Sequence, residues 1–275
     1  MDDRDATRRV AAHYSRDAEA FARYWAPYLR PKAEALLDRL PLAEARVVLD
    51  LGTGTGALLP SIRAAAPRAL VVGTDLAEGM LRLARAGAPG PLALMDDQQL
   101  ALLDRCADGA LLSFVLHRLP DPAAALGEVA RVLRTGGVVG TVTWGHGRRA
   151  EAGRVWDAIL AARGVPSEPS TVDNHALVDQ PAKLRALMLG AGLEPLEAWT
   201  STYEQRYDLE GWLDFAIGSG VGRRAAPELR QEYLREARQR MAGLSPEAYV
   251  VRSEVVYAVA RRRGARPLDP RANEP

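Results

Sequence analysis

The spacing of hydrophobic positions changes at Val47. Before it, residues 5 to 40 carry apolar side chains three and four apart, as in "DAEAFARYWAPYL", which is the period of an amphipathic helix. Pro27 and Pro31 are expected to break that helix into short pieces. After Val47, short apolar runs alternate with helical stretches. "RVVLDLG" reads as a strand, "ALLPSIRAAA" as a helix, "ALVVGTD" as a second strand and "LAEGMLRLARAG" as a second helix stopped by glycine. "GPLALMDD" and "DGALLSFVLHRL" hold the third and fourth strands. In "PDPAAALGEVARVLRTGG", Asp121 is placed to cap a helix and Pro122 to open it. Leu126, Val129, Ala130 and Leu133 share a face there, and Gly136 and Gly137 are the expected stop. "VVGTVTWG" is the fifth strand.

Further on, "PAKLRALMLGAGLEPLEAWTSTYEQRY" predicts a helix, a turn and a long strand. Residues 208 to 243 read as helical, and "AYVVRSEVVYAVARR" as the last strand. This alternation predicts a doubly wound α/β fold, with a parallel sheet covered on both faces.

Composition narrows the picture mainly by exclusion. At 275 residues the chain suits one elaborated domain better than two. Charges nearly cancel, at +1, so no nucleic-acid surface or acidic partner is expected. Cys106 is the only cysteine, which excludes an intrachain disulfide and fits a reducing, cytoplasmic setting. The charged start "MDDRDATRRV" leads into no apolar segment, and no run of about 18 apolar residues appears, so neither a signal peptide nor a membrane span is expected.

The densest chemistry is "VVLDLGTGTGALLP", Val47 to Pro60. Gly52, Gly54 and Gly56 let backbone approach a ligand where a Cβ would clash, at the carboxyl end of a strand, where open parallel sheets hold their ligands. Asp75 ends the next strand, where an acid accepts hydrogen bonds from both hydroxyls of a ribose. The turn alone also satisfies a loose dinucleotide-binding fingerprint. Asp96 and Asp97, at the end of the third strand, add a carboxylate able to accept from an exocyclic adenine amine.

Taken in order with "SFVLHRLPDP" and "LGEVARVLRTGG", these motifs resemble the class I S-adenosylmethionine-dependent methyltransferases, in the small-molecule branch related to menaquinone, ubiquinone and natural-product enzymes. The resemblance runs from about Val47 to Gly145. It implies a Rossmann-like sheet of seven strands whose last strand is antiparallel, with an N-terminal helical lid and a helical insertion. It also implies S-adenosylmethionine as cofactor, S-adenosylhomocysteine as product, and a small-molecule acceptor taken on O, N or C by a monomer or homodimer.

The resemblance places Asp50 and Gly52 toward the methionine amino group, with Thr53, Gly54 and Gly56 completing the turn. Asp75, with Leu76 beside it, is expected on ribose and Asp96 on the adenine amine, with the Asp97 main-chain amide behind it. Ser113 offers its carbonyl to the methionine ammonium. "AHYSRDAEAF" resembles the lid, which puts Tyr14 on the methionine carboxylate. A single domain over 1–263 is expected. It comprises a lid (1–45), a cofactor-binding core (46–146), a substrate-side segment with the sixth strand (147–207), the insertion (208–245) and the last strand (246–263), followed by a disordered tail (264–275).

Methyl transfer from a sulfonium needs alignment, exclusion of water and, for some nucleophiles, removal of a proton. His117, leaving the fourth strand, is the first candidate base, since an unperturbed imidazole titrates near neutral pH. Many relatives carry His-His here, whereas this chain reads His117-Arg118. His146, after the fifth strand, is the second candidate; His13 and His175 lie in the lid and in a loop. No His or Cys spacing supports a metal site. An acceptor pocket is expected between the lid, the segment after the fifth strand and the insertion, where Trp25, Trp144, Trp156, Trp212 and Phe215 fall. Two other functions compete: an NAD(P)-dependent oxidoreductase, and a non-methylating catalyst or binding protein that retains S-adenosylmethionine.

Overall fold

A computed structural model describes residues 3–88, 90–147, 150–165, 172–219 and 226–264. A seven-stranded sheet runs in the order β3-β2-β1-β4-β5-β7-β6. The strands are β1 (Val47–Leu51), β2 (Leu70–Asp75), β3 (Leu92–Leu94), β4 (Ala107–Ser113), β5 (Leu133–Trp144), β6 (Leu193–Arg206) and β7 (Val250–Arg262). The strands from β3 to β5 pair in parallel, while β7 lies antiparallel between β5 and β6. The doubly wound sheet and its antiparallel last strand are therefore present as expected. The expected disordered tail falls, past Gly264, outside the described residues.

Alternation along the strands divides the core between two faces. Val48, Leu111, Val142, Val255 and Tyr257 pack beneath α2 (Ala26–Leu37) and α3 (Leu59–Ala65). Leu49, Leu51, Leu112, Val139 and Val256 pack beneath α5 (Pro122–Val132), the short α7 (His175–Val178) and α8 (Pro181–Gly190). Each fully buried leucine of this kind contributes about 1.5–3 kcal/mol. As expected, Asp121 caps α5, its carboxylate accepting from the amides of Ala123 and Ala124 at 2.9 Å. A third apolar cluster joins α6 (Glu151–Ala162), α9 (Leu209–Gly218) and α10 (Arg230–Met241) into a cap, through Trp156, Trp212, Tyr233 and Met241.

Two local expectations are corrected. Pro27 and Pro31 do not break the N-terminal helix: α1 (Asp3–Ala20) passes through a π-helical turn at Phe21–Trp25 straight into α2. The wider turn, closed by the Ala26 amide on the Phe21 carbonyl, opens the helix just before the Pro27 ring. Pro31 then sits inside α2, which burial of Ala33, Leu36 and Leu37 holds in place. Gly136 and Gly137, in turn, do not stop α5. That helix ends at Val132, and both glycines belong to an irregularity of β5, where Leu133 pairs with Ala107 but Val138 pairs with Gly109.

The lid is seated on α4 (Glu78–Gly87). A Cβ on Gly79 would lie 2.3 Å from the Ser15 carbonyl oxygen, so only glycine lets the helices touch, and the Gly79 amide donates to Ser15 Oγ at 3.2 Å. Ala18 packs on Ala77 and Met80 there, with Tyr14 and Phe21 beside them.

Candidate active site

At the carboxyl end of β1 the chain turns through left-handed backbone at Gly52 (φ +66°), Gly54 (φ +57°) and Gly56 (φ +75°). The turn is tied down from below. Thr53 Oγ1 donates to Asp50 Oδ2 at 2.6 Å, and the Thr53 amide reaches the Thr74 carbonyl at 2.7 Å. A Cβ on Gly52 would come within 2.3 Å of Val115, so this glycine admits the β4 exit as well as a ligand. A Cβ on Gly54 would meet only Phe21, at 3.6 Å, across the space under the lid.

That space is a cavity between the strand ends and α1. Eight of the expected cofactor residues line it: Tyr14, Gly52, Gly54, Asp75, Leu76, Asp96, Asp97 and Ser113. Asp50, Thr53 and Gly56 do not. Thr53 occupies the Asp50 carboxylate under the turn, so Asp50 supports the cavity floor instead of facing the cavity directly. Asp75 accepts from the Gly54 amide and the Ala77 amide, both at 2.8 Å, one on each oxygen, which fixes the carboxylate and leaves each oxygen a further lone pair. Asp96 Oδ1 accepts from the Gln98 amide at 2.9 Å, and Asp97 is buried beside the Thr74 hydroxyl at 3.3 Å.

These acids lie close together and largely buried. Burial pushes the Asp50 carboxyl up to about 7, against the Thr53 hydrogen bond and with help from the Asp75 charge. Burial also raises Asp75, and raises Asp97 well above the usual carboxylate range, where the Asp75 charge adds to it. A cationic ligand relieves such crowding. S-adenosylmethionine fits on that ground, and on another: Ser113 Oγ, buried in the cavity wall, has no hydrogen-bond partner.

The β4 exit is strained. Phe114 holds φ +60°, which is unusual for a bulky residue, with its amide on the Val142 carbonyl at 2.7 Å. Its ring lies 4.6 Å from that of Trp144. His117 follows on a 3₁₀ turn (Leu116–Arg118) and lines the cavity, but it is only 4% exposed, with Nδ1 3.3 Å from Thr143 Oγ1. Burial, then the charges of Arg118 and His175, lower it to about 3. The buried imidazole is therefore neutral at physiological pH in this structure. His146 lines neither of these cavities; its exposed ring turns to Asp179, with Nε2 3.5 Å from Oδ2. Among the described residues, no group of three or more His, Cys, Asp or Glu could hold a metal ion.

A second cavity, of about 410 Å³, adjoins the first through the shared residues Trp25, Trp144 and Ser219. All five aromatic residues expected around an acceptor border it: Trp25, Trp144, Trp156, Trp212 and Phe215. Sequence reasoning missed Tyr28, Tyr207 and Ser253, which line it too, and Phe21, Met80 and Arg118 in the first cavity. Helical periodicity had marked the lid positions as apolar, yet gave no sign of which cavity each would reach.

Comparison with known proteins adds independent findings. Residues 49–140 match a family described as "Methyltransferase domain". The chain is 32% identical over 197 residues to a trans-aconitate 2-methyltransferase of Azoarcus, covering 69% of this chain and 74% of that protein. It is 40% identical over 108 residues to a ubiquinone/menaquinone biosynthesis C-methyltransferase of Syntrophotalea carbinolica, covering 38% of this chain and 46% of that one. A crystal structure from Bacillus halodurans, described as a methyltransferase, superposes with a TM-score of 0.57 at 20% identity, over 85% of this chain and 100% of its own.

Proposed function

The chain belongs to the class I S-adenosylmethionine-dependent methyltransferases of small-molecule type, and from that premise we propose that its acceptor is a neutral, flat or aromatic metabolite bound in the second cavity. The observation that carries this reading is the junction of the two cavities at Trp25 and Trp144. An acceptor stacked among the aromatic side chains would meet the cofactor cavity at these shared residues, with Ser219 beside them.

S-adenosylmethionine supplies a methyl group already activated on sulfur; the protein supplies alignment and dryness. In this proposal Asp75 holds the ribose hydroxyls, with Leu76 packing beside them. Asp96 holds the adenine amine, next to the Asp97 amide. The Ser113 carbonyl takes the methionine ammonium, and Tyr14 reaches the carboxylate from the lid. Gly52, Thr53, Gly54 and Gly56 shape the backbone against this end of the ligand, while the Asp50 charge acts through the turn from beneath. His117 serves as a neutral hydrogen-bonding wall group held by Thr143, with positioning as its main contribution.

The Azoarcus relative is named for a carboxylate-rich acceptor. In the second cavity of this chain the cation on the described lining is Arg252, already engaged by Glu204 and Glu247. This favours an uncharged acceptor. The near-neutral surface supports a role without nucleic acid, and no described helix is long and apolar enough to cross a membrane. Incubation with methyl-tritiated cofactor and a panel of phenols, aromatic amines and trans-aconitate is the direct test. Label is expected in aromatic acceptors; transfer to trans-aconitate alone would refute the proposal.

A further inference from the structure

Within the aromatic cavity, most polar side chains are already committed. Arg252 is held by two glutamates, Ser219 Oγ donates to the Phe215 carbonyl at 2.5 Å, and Asp157 has a partner of its own. Besides the Tyr207 hydroxyl, the lining holds a pair of hydroxyls brought together across 225 residues of chain: Tyr28 of α2 and Ser253 of β7, with their oxygens 2.5 Å apart. We propose that Tyr28 and Ser253 are the acceptor's polar anchor, a neutral hydroxyl pair that hydrogen-bonds an uncharged oxygen or nitrogen on an aromatic acceptor. The inference rests on reading this cavity as the acceptor site, and adds to it which aromatic molecules are chosen.

The pair is built to hold still. The Tyr28 ring stacks on Trp144, with centroids 6.0 Å apart and planes 27° apart. The ammonium of buried Lys32 lies 3.5 Å from its centroid and donates to the Tyr28 carbonyl at 2.7 Å. Phe215 packs 6.1 Å from the same ring. Stacking on Trp144 also places Tyr28 one ring away from the cofactor cavity, which Trp144 borders. An acceptor atom held here is therefore close to the junction through which a methyl group must pass.

The chemistry of the pair limits what it can hold. Burial raises the Tyr28 phenol above its usual range, with the Ser253 hydrogen bond opposing, so both groups are uncharged at neutral pH. Two hydroxyls that share one hydrogen bond still offer one O–H and free lone pairs. They can donate to a carbonyl or accept from a phenol or amine. They cannot repay the desolvation of a carboxylate, and a bare hydrocarbon would cut them off from water without a partner.

Equilibrium dialysis of the S-adenosylhomocysteine complex against 2-naphthol, naphthalene and 2-naphthoate tests the assignment. The wild-type protein is expected to bind 2-naphthol about tenfold more tightly than naphthalene, with 2-naphthoate weakest. Tyr28→Phe and Ser253→Ala should each remove most of the preference for the hydroxyl while naphthalene binding stays within about twofold. Unchanged affinity for S-adenosylhomocysteine reports an intact fold; should Tyr28→Phe lose it, Ser253→Ala decides alone. A wild-type protein indifferent to the hydroxyl, or a preference that survives Ser253→Ala, overturns the anchor while leaving the cavity as an aromatic site. Failure of both neutral naphthalenes to bind would instead remove the aromatic-acceptor reading, and the anchor with it.

Discussion

The two cavities that meet at Trp144 are made in opposite ways. The cofactor side is built largely from backbone and short carboxylates: three left-handed glycines, the Gly54 and Ala77 amides on Asp75, and the Gln98 amide on Asp96. Its parts stand at the carboxyl ends of neighbouring parallel strands, so a short ordered set of motifs specifies it. The proposed acceptor side is built from side chains of α2, α6, α9 and β7, remote in sequence and joined by ring packing, with Trp25 5.4 Å from Phe215 and Trp156 6.3 Å from Trp212. A backbone site tolerates little substitution. A side-chain site is free to vary, and with it the acceptor.

The most damaging test of this contrast lies in the turn. Gly52→Ala puts a methyl group 2.3 Å from Val115 in left-handed backbone, and is expected to cost S-adenosylhomocysteine affinity about 100-fold or more by calorimetry. On the other side, Trp144→Ala should lower kcat/KM for an aromatic acceptor by about 10- to 100-fold, with a much smaller loss of cofactor affinity. Equal losses for both ligands would erase the distinction between the cavities.

A pH series probes the floor beneath the turn. The Asp50 carboxyl is pushed up to about 7 in the folded protein, against about 3.9 for an unfolded chain. Between these values the folded state holds a proton that the unfolded state has lost, so this group's contribution to the stability of the free protein falls as pH rises through that window. A cationic cofactor favours the ionised form, so its binding should tighten by up to about tenfold per pH unit toward 7 and level off above. Asp50→Asn should flatten that dependence. The smallest expected effect is that of His117→Ala: turnover should fall by less than about tenfold, with no inflection near pH 6.5 lost from the rate profile, since the imidazole is already held near 3.

What could be read from the chain follows the same division. Strand and helix alternation carried the sheet because buried parallel strands are short apolar runs, and Asp121-Pro122 marked its helix because capping is local. The glycine turn and Asp75 were legible for the same reason. Pro27 was misleading because a π turn ending two residues earlier had already widened the helix, and propensity alone cannot foresee that compensation. Gly136 and Gly137 look identical in a helix stop and in a strand irregularity. His117 was visible as a residue, but its basicity depends on burial and on the charges of Arg118 and His175, which only the fold reveals. Tyr28 and Ser253 had no signal at all, as neither means anything without the other.

The π turn at Phe21–Trp25 links the two cavities. Within five residues it presents Phe21 to the cofactor cavity and Trp25 to both cavities, while Tyr24 donates to Asp214 of the cap at 3.1 Å. One segment thus forms part of the wall of each cavity. Any displacement that admits one ligand reshapes the berth of the other, which couples their affinities reciprocally.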